Sequence, residues 1–505
     1  MTNHTTAGNG APVTGRPAVR IGALTAALLA ACVAFQLNAS MLSPVLVTMA
    51  KDLHTDDATI GLSQTLFFTL AALFSLFLPR LSDIVGRKRV LVGMLAVMLV
   101  GSVVAALAVN VPMLFAGRII QGVAGPVVPI CLLMLRAEIT DPKRYGAAMG
   151  LLTAVNGGIA GIDALAGGWL ATSFGFRSVF WVIAAVAVVA VVMVVVWGVD
   201  SRPSAGTSMD WWGVLPLVVS IGALLTACNE AGKLGSANWA LVIGGAVVAI
   251  LAFAVFWWLE DRIREPLIPT RYLRRRSTWA LLLTTLLTMT GVFAVVNGLV
   301  TSLAQNTTVG FSMQADLTSL AFLTPYALVG WLVGPFAGRL APTLGYRFML
   351  RIGLAGSIVG TLLMAFVGVH SLPVLIAATV LIGITYAGIA NIMLNGLGIV
   401  LSPADNPGFL PGLNAGAFNL GAGLSFAALP ALQVALGATS GSGQATTTGY
   451  SGGMLLGAAI TIGALAVSFL IPRPSDAETP SGRSSTSTTG SDTAHGPTTT
   501  RKQHA

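Results

Sequence analysis

The chain has 505 residues, of which 55% are hydrophobic and only 9% are Asp, Glu, Lys or Arg, against about a quarter in soluble domains. So few charges cannot cover a soluble fold, which excludes a soluble enzyme, a nucleic-acid binder and a disordered chain. The three cysteines, Cys32, Cys131 and Cys228, each lie in an apolar run, which excludes a disulfide scaffold.

In chain order, residues 1–20 read as a disordered N-terminal tail. Fourteen apolar runs follow, each long enough to cross a hydrocarbon layer of roughly 30 Å. They cover 21–46, 58–79, 88–109, 112–135, 146–170, 177–199, 211–229, 239–259, 279–303, 316–338, 349–369, 373–400, 408–432 and 452–471. No strand-period alternation competes with them. The first run is too long for a signal-peptide core and lacks a cleavage site, so it is expected to be retained. Residues 437–451 form a small-polar loop, and residues 472–505 a second disordered tail.

Lys and Arg orient these spans. With the N-terminus inside, 23 of the 27 basic residues fall in inner segments. The outer loops hold Lys51, Arg177 and Lys233, and Arg118 lies within a span. This asymmetry puts both termini in the cytoplasm of a multi-pass cell-membrane protein.

A shift of 259 residues lays Pro79–Leu91 over Gly338–Leu350. At the same offset Asn38 meets Asn297, Ser43 meets Ser302, Thr59 meets Thr318, and Thr65 meets Thr324. The expected fold is all-α: two six-helix bundles related by a parallel internal repeat (21–199 and 279–471), with a two-helix insertion and basic loop between them (200–278). Such a repeat implies a midplane site between bundles that rock against each other. The design is complete in one chain, so a monomer is expected.

Two motifs then carry a resemblance. Pro79-Arg-Leu-Ser-Asp83-Ile-Val-Gly86-Arg87-Lys88 resembles the inside-loop motif of the major facilitator superfamily, with Pro79 and Ile84 in place of its first Gly and first Arg. Leu114-Phe-Ala-Gly-Arg118-Ile-Ile-Gln121-Gly122 resembles the fourth-span motif of the same family. Asp163-Ala-Leu-Ala-Gly167-Gly168 keeps only the Gly pair of the antiporter motif in span 5, and Leu37-Asn38-Ala39-Ser40 lacks the acid usual in span 1 of the fourteen-span branch. The chain thus resembles the fourteen-span branch of that superfamily, which resembles the drug:proton antiporters, over about residues 20–471. The resemblance implies alternating access, with Asp83, Gly86, Arg87 and Lys88 as the gating loop. In the family, Asp83 would face the N-terminus of span 13, near Asn406-Pro407-Gly408; the alternative is that it balances nearby Arg.

Charges inside spans are the candidates for coupling. A bare guanidinium costs roughly 2.5–3.5 kcal/mol on insertion scales, so Arg118 needs a partner or a wet cavity. Arg118, Asp163 and Asn38 lie about 9, 10 and 12 Å from the outer ends of their spans, at a rise of about 1.5 Å per residue. The shared depth suggests that Asp163 pairs with Arg118 and that protonation competes with the pair or with a cationic substrate; a fixed structural ion pair is the alternative. Gln36, Asn38, Asn297, Tyr326, Asn391 and Asn395 are candidates for the substrate cavity, Asn391 and Asn395 being four apart on one helix face. Gly157, Gly158, Gly161, Gly167 and Gly168 give span 5 a small-residue face.

No P-loop, metal-spaced cluster or nucleophile motif is present, so neither an enzyme nor a cofactor is expected. The expected partners are a small-molecule substrate, protons and the bilayer. The leading expectation is proton-coupled efflux of small lipophilic or cationic compounds, as in multidrug or antibiotic resistance. The alternatives are a proton-coupled importer of a polar metabolite and a non-transporting receptor.

Overall fold

A computed structural model describes residues 21–139, 141–200, 211–232, 237–263, 270–403, 409–438 and 446–473. Both expected tails (to residue 20 and from 474) and Asn406-Pro407-Gly408 lie outside the described residues, as do residues 439–445 of the loop expected at 437–451; residues 447–451 of that stretch instead open a helix. Among the described residues the structure is helical, without strands. Fourteen long rods occur, labelled α1 to α14. The first eight are α1 (Ile21–Asp52), α2 (Asp57–Val85), α3 (Arg87–Ala106), α4 (Val111–Glu138), α5 (Pro142–Phe174), α6 (Phe176–Trp197), α7 (Trp211–Gly232) and α8 (Trp239–Glu260). The others are α9 (Arg276–Gln305), α10 (Ala315–Leu344), α11 (Tyr346–His370), α12 (Leu372–Val400), α13 (Phe409–Ala438) and α14 (Thr447–Ser468). Thirteen are long and apolar enough to cross a membrane, whereas in α5 the apolar stretch described is the shorter Ile159–Phe174.

Local chemistry sets the helix ends. The Asp56 carboxylate accepts from the Thr59 N–H at 2.8 Å and caps α2, and the Asn110 side chain accepts from the Met113 N–H at 2.9 Å and caps α4. Gly86 and Gly345, exactly one repeat apart, join α2 to α3 and α10 to α11 with φ of 115° and 90°. A side chain would be strained in both turns. They mark one face of the molecule, called here the basic face.

Several rods are broken within the span. In α1 the helix stops at Ser40 and restarts at Leu46 through a tight turn, Ser43–Val45. Pro44 lacks the N–H that the Ser40 carbonyl would accept. In α4 a similar turn, Gly122–Ala124, precedes Pro126. The second half instead has π-helical stretches at Val295–Val300, Ser319–Leu323 and Gly383–Ala390. Such stretches insert a residue and turn the following face.

Two repeat-related contacts join the halves, α2 with α13 and α10 with α5. Glycine permits both. A Cβ on Gly423 would lie 3.1 Å from Thr69 Oγ1, and one on Gly168 would lie 2.5 Å from the Ala315 carbonyl oxygen. Gly161 likewise abuts Thr324, whose hydroxyl donates to the Gly161 carbonyl at 2.9 Å. The surroundings of Gly157 and Gly158 lie outside the described residues. The α7–α8 pair packs through α7 on the α2–α13 contact, where the Trp211 and Phe77 rings are 6.4 Å apart.

Candidate functional site

Arg118 is completely buried in α4. Its guanidinium donates to Gln121 Oε1 at 2.7 Å, to Gln64 Oε1, and through both terminal nitrogens to the Asn38 carbonyl at 3.4 Å. It also lies 4.2 Å from the centroid of the Phe67 ring, a contact worth about 2 kcal/mol when desolvated. Gln121 in turn donates to Ser102 at 2.9 Å, fixing its amide. The Asn38 carbonyl is available because α1 stops two residues later, and the last carbonyls of a helix have no intrahelical donor. The break at Pro44 therefore supplies one wall of the cage.

Asp163 is buried in α5 and accepts from the Ser40 hydroxyl at 2.5 Å. Gln36 donates to the same hydroxyl at 2.9 Å, giving a chain Gln36–Ser40–Asp163. No ion pair joins Asp163 to Arg118, so the pair expected from their shared depth is not formed here. The reason is helix rotation: Ser40 is about 200° around α1 from Asn38 at 100° per residue. The two charges share a depth but use different sides of α1. Asp163 places its carboxylate against α1 through Ser40.

The amides expected in the cavity divide. Asn38 donates back to Ala34 O at 3.1 Å. Its repeat mate Asn297 lies in the π-helical stretch of α9 and accepts from Ser43 of α1 at 3.3 Å, so it reaches the other half of the molecule. Tyr326 is half-buried and its backbone packs on Gly383. Asn391 and Asn395 share one face, as expected, and there Asn395 is exposed and donates to Asn391 at 3.1 Å. At the basic face, Asp83 accepts from Arg87 Nε at 3.0 Å and Nη2 at 2.9 Å. Arg87 also donates to Leu133 O, tying the loop to α4, while Lys88 stands beside it at the start of α3. Asp83 thus pairs with its neighbour; the contact expected with the start of span 13, near 406–408, lies outside the described residues.

Sequence reading did not select Gln64, Gln121 or Ser40 as site residues. Gln121 was legible as part of the fourth-span motif, and Ser40 closes the Leu37–Ser40 segment. Gln64 offers only its polarity inside an apolar run. Missed as well was an aromatic cluster crossing between the halves: Phe68 lies edge-on to Phe293 at 5.2 Å and stacks on Phe426 at 6.4 Å. Phe67 links this cluster to Arg118.

Two repeat-related groups of helices, meeting at glycine-lined contacts around buried polar groups, define a polytopic membrane transporter. The chain belongs to the Major Facilitator Superfamily, whose family model matches residues 28–426. It is 51% identical over 462 residues to the uridine/deoxyuridine transporter of Lactococcus lactis subsp. cremoris (strain MG1363), covering 90% of this chain and 95% of that protein. It is 26% identical over 366 residues to multidrug resistance protein Stp of Mycobacterium tuberculosis (strain CDC 1551 / Oshkosh), covering 71% and 66% respectively. Among solved structures, the human organic anion transporter MFSD10 (TETRAN) shares the fold at a TM-score of 0.58 and 16% identity, over 88% of this chain and 100% of that one.

Proposed function

We propose that this transporter takes up uridine-type nucleosides together with protons, the termini and basic face lying in the cytoplasm. The observation that carries this reading is the 51% identity, over nearly the whole of both chains, to a uridine/deoxyuridine transporter. It moves the functional reading from drug efflux to the polar-metabolite alternative.

The chemistry of the interior agrees with a neutral polar substrate. The buried charges among the described residues are Arg118, Asp163 and Glu260, and the last ends α8 in the inserted pair. The remaining buried polar groups are amides and hydroxyls, which match the carbonyls and N–H of a pyrimidine and the hydroxyls of a sugar. Phe68, Phe293 and Phe426 offer faces on which a base can stack, the interaction that makes aromatic rings useful for bases elsewhere. Asp163 is the proton carrier in this scheme. Its bond to Ser40 ties its protonation state to α1, and α1 touches Asn297 of the other half. Proton binding at Asp163 would thereby alter how the two halves meet.

The 26% identity to a multidrug resistance protein keeps efflux as the second reading. One experiment separates them. Labelled uridine uptake is measured in cells stripped of their own nucleoside uptake, with acid outside and with an uncoupler, beside ethidium export from the same cells. Uncoupler-sensitive uridine uptake is expected. Ethidium export without uridine uptake would sink the proposal.

A further inference from the structure

On the face opposite the basic one, the first turn of α2 meets α9. Asp57 lies just outside the apolar segment Thr59–Val85 and accepts from the Ser302 hydroxyl of α9 at 2.5 Å. Tyr450 of α14 lies 2.8 Å from the same hydroxyl oxygen. A hydroxyl has one proton, so if Ser302 gives its own to Asp57, Tyr450 must be the donor to Ser302. Beside this chain, Gln305 of α9 donates to the Pro44 carbonyl of α1 at 2.9 Å. The contacts border a cavity of about 170 Å³ whose lining includes Lys51, Thr55, Asp57, Ser302, Gln305 and Thr307. A carboxylate therefore sits in the contact that closes this face, and that contact must part whenever the face opens.

Closure changes what surrounds Asp57. When the face is closed, the carboxylate is half-buried with one hydroxyl donor from the other half of the molecule. When it is open, water replaces both the burial and the donor. Burial raises the Asp57 carboxyl above its ordinary value, outweighing the lowering by the Ser302 hydrogen bond. The charged groups facing it are Asp56, which adds to the rise, and Lys51 at the end of α1, which opposes it. Tyr450 is the titratable group on α14, and its hydroxyl lies on Ser302. A proton thus binds the closed face more tightly than the open one, and by reciprocity proton binding favours closure.

We propose that Asp57 is a second proton-binding site, distinct from Asp163, which couples acidification on its side of the membrane to closure of that face across the Asp57–Ser302 contact. This rests on alternating access. With the orientation proposed above, an acidic exterior would shut the outer face behind the substrate.

The test reads conformation rather than flux. Spin labels are placed at Val109→Cys and Phe366→Cys, one in each half on this face, with Cys228→Ser; Cys32 and Cys131 are buried. The Asp163→Asn background separates failure at Asp163 from failure here. On acidification from about pH 8 to about pH 5 the short-distance population should grow, with the closed-to-open ratio changing up to about tenfold per pH unit. Asp57→Asn should show the acid-like distribution at every pH, because its neutral amide oxygen still accepts from Ser302. Ser302→Ala removes a bond that lowers the carboxyl, so the midpoint should move to higher pH. A parent without pH response, or Asp57→Asn titrating like the parent, overturns the proposal. Should Asp57→Asn fail to fold, the Ser302→Ala midpoint decides: unmoved or moved down, it overturns the proposal as well.

Discussion

The first six helices and the last six follow the same order at an offset of 259 residues, yet they bury different chemistry. The first half encloses Arg118 and Asp163. Among the described residues of the last half, the buried polar groups are neutral: Thr284, Thr285, Thr288, Asn297, Asn414 and their like. The breaks differ in kind too. The first half breaks its helices in tight turns next to Pro44 and Pro126, and at the first break the Asn38 carbonyl is left to accept from Arg118. The second half has a tight turn only at a rod end, Gly368–His370, and within its spans widens the helix in three π-helical stretches, two of which contain Asn297 and Tyr386. Widened turns re-aim side chains without ending the rod. The same order of helices thus holds charge in one half and neutral hydrogen bonding in the other.

The comparison can be broken most forcefully at Arg118. Arg118→Ala leaves Gln64, Gln121 and the Asn38 carbonyl buried without their donor, at roughly 1–3 kcal/mol for each unsatisfied group. Uptake should vanish and the thermal midpoint should fall, while Arg118→Lys should restore only part of either, because one ammonium cannot reproduce the planar fork. Survival of full uptake in Arg118→Ala would remove the ionic role of the first half. Next in size is Asp163→Asn. In proteoliposomes it should lose accumulation driven by a pH gradient and keep substrate exchange, which needs no net proton movement. Unchanged gradient-driven accumulation would place the coupling proton elsewhere.

Asn297→Ala probes the other side of the comparison. Loss of one hydrogen bond of about 1.4 kcal/mol corresponds to roughly a tenfold rise in the substrate concentration for half-maximal uptake. A fall in maximal rate alone would point to the Ser43 contact rather than to substrate. The smallest effect is expected at Asn395→Ala. Its side chain is exposed and bonded to Asn391 on the same helix, so uptake should change by less than about twofold, in keeping with a surface helix pair worth about 0.5 kcal/mol.

Much of this was legible without coordinates. Apolar length predicted every rod, including the inserted pair α7 and α8, since a segment that must satisfy its own backbone in lipid has few alternatives to a helix. The repeat was legible at Gly86 and Gly345, because a turn with positive φ restricts the residue that can fill it. Site residues were recognised as polar exceptions in apolar runs. Their partners were not, and Arg118 and Asp163 show why. Counting residues along each span gave equal depths, which depend only on rise. Whether two side chains meet depends on rotation about the axis, and on where each helix packs.

The sequence by itself thus determined the membrane class, the rods, the repeat and the few charges that had to be buried, all of which follow from local hydropathy and backbone chemistry. Only the tertiary structure decided that Arg118 is caged by Gln64, Gln121 and the Asn38 carbonyl near the break in α1, that Asp163 turns to Ser40, and that Asp57 meets Ser302 across 245 residues of chain. Those contacts join separate helices, and no pattern within one helix encodes the azimuth at which its neighbour arrives.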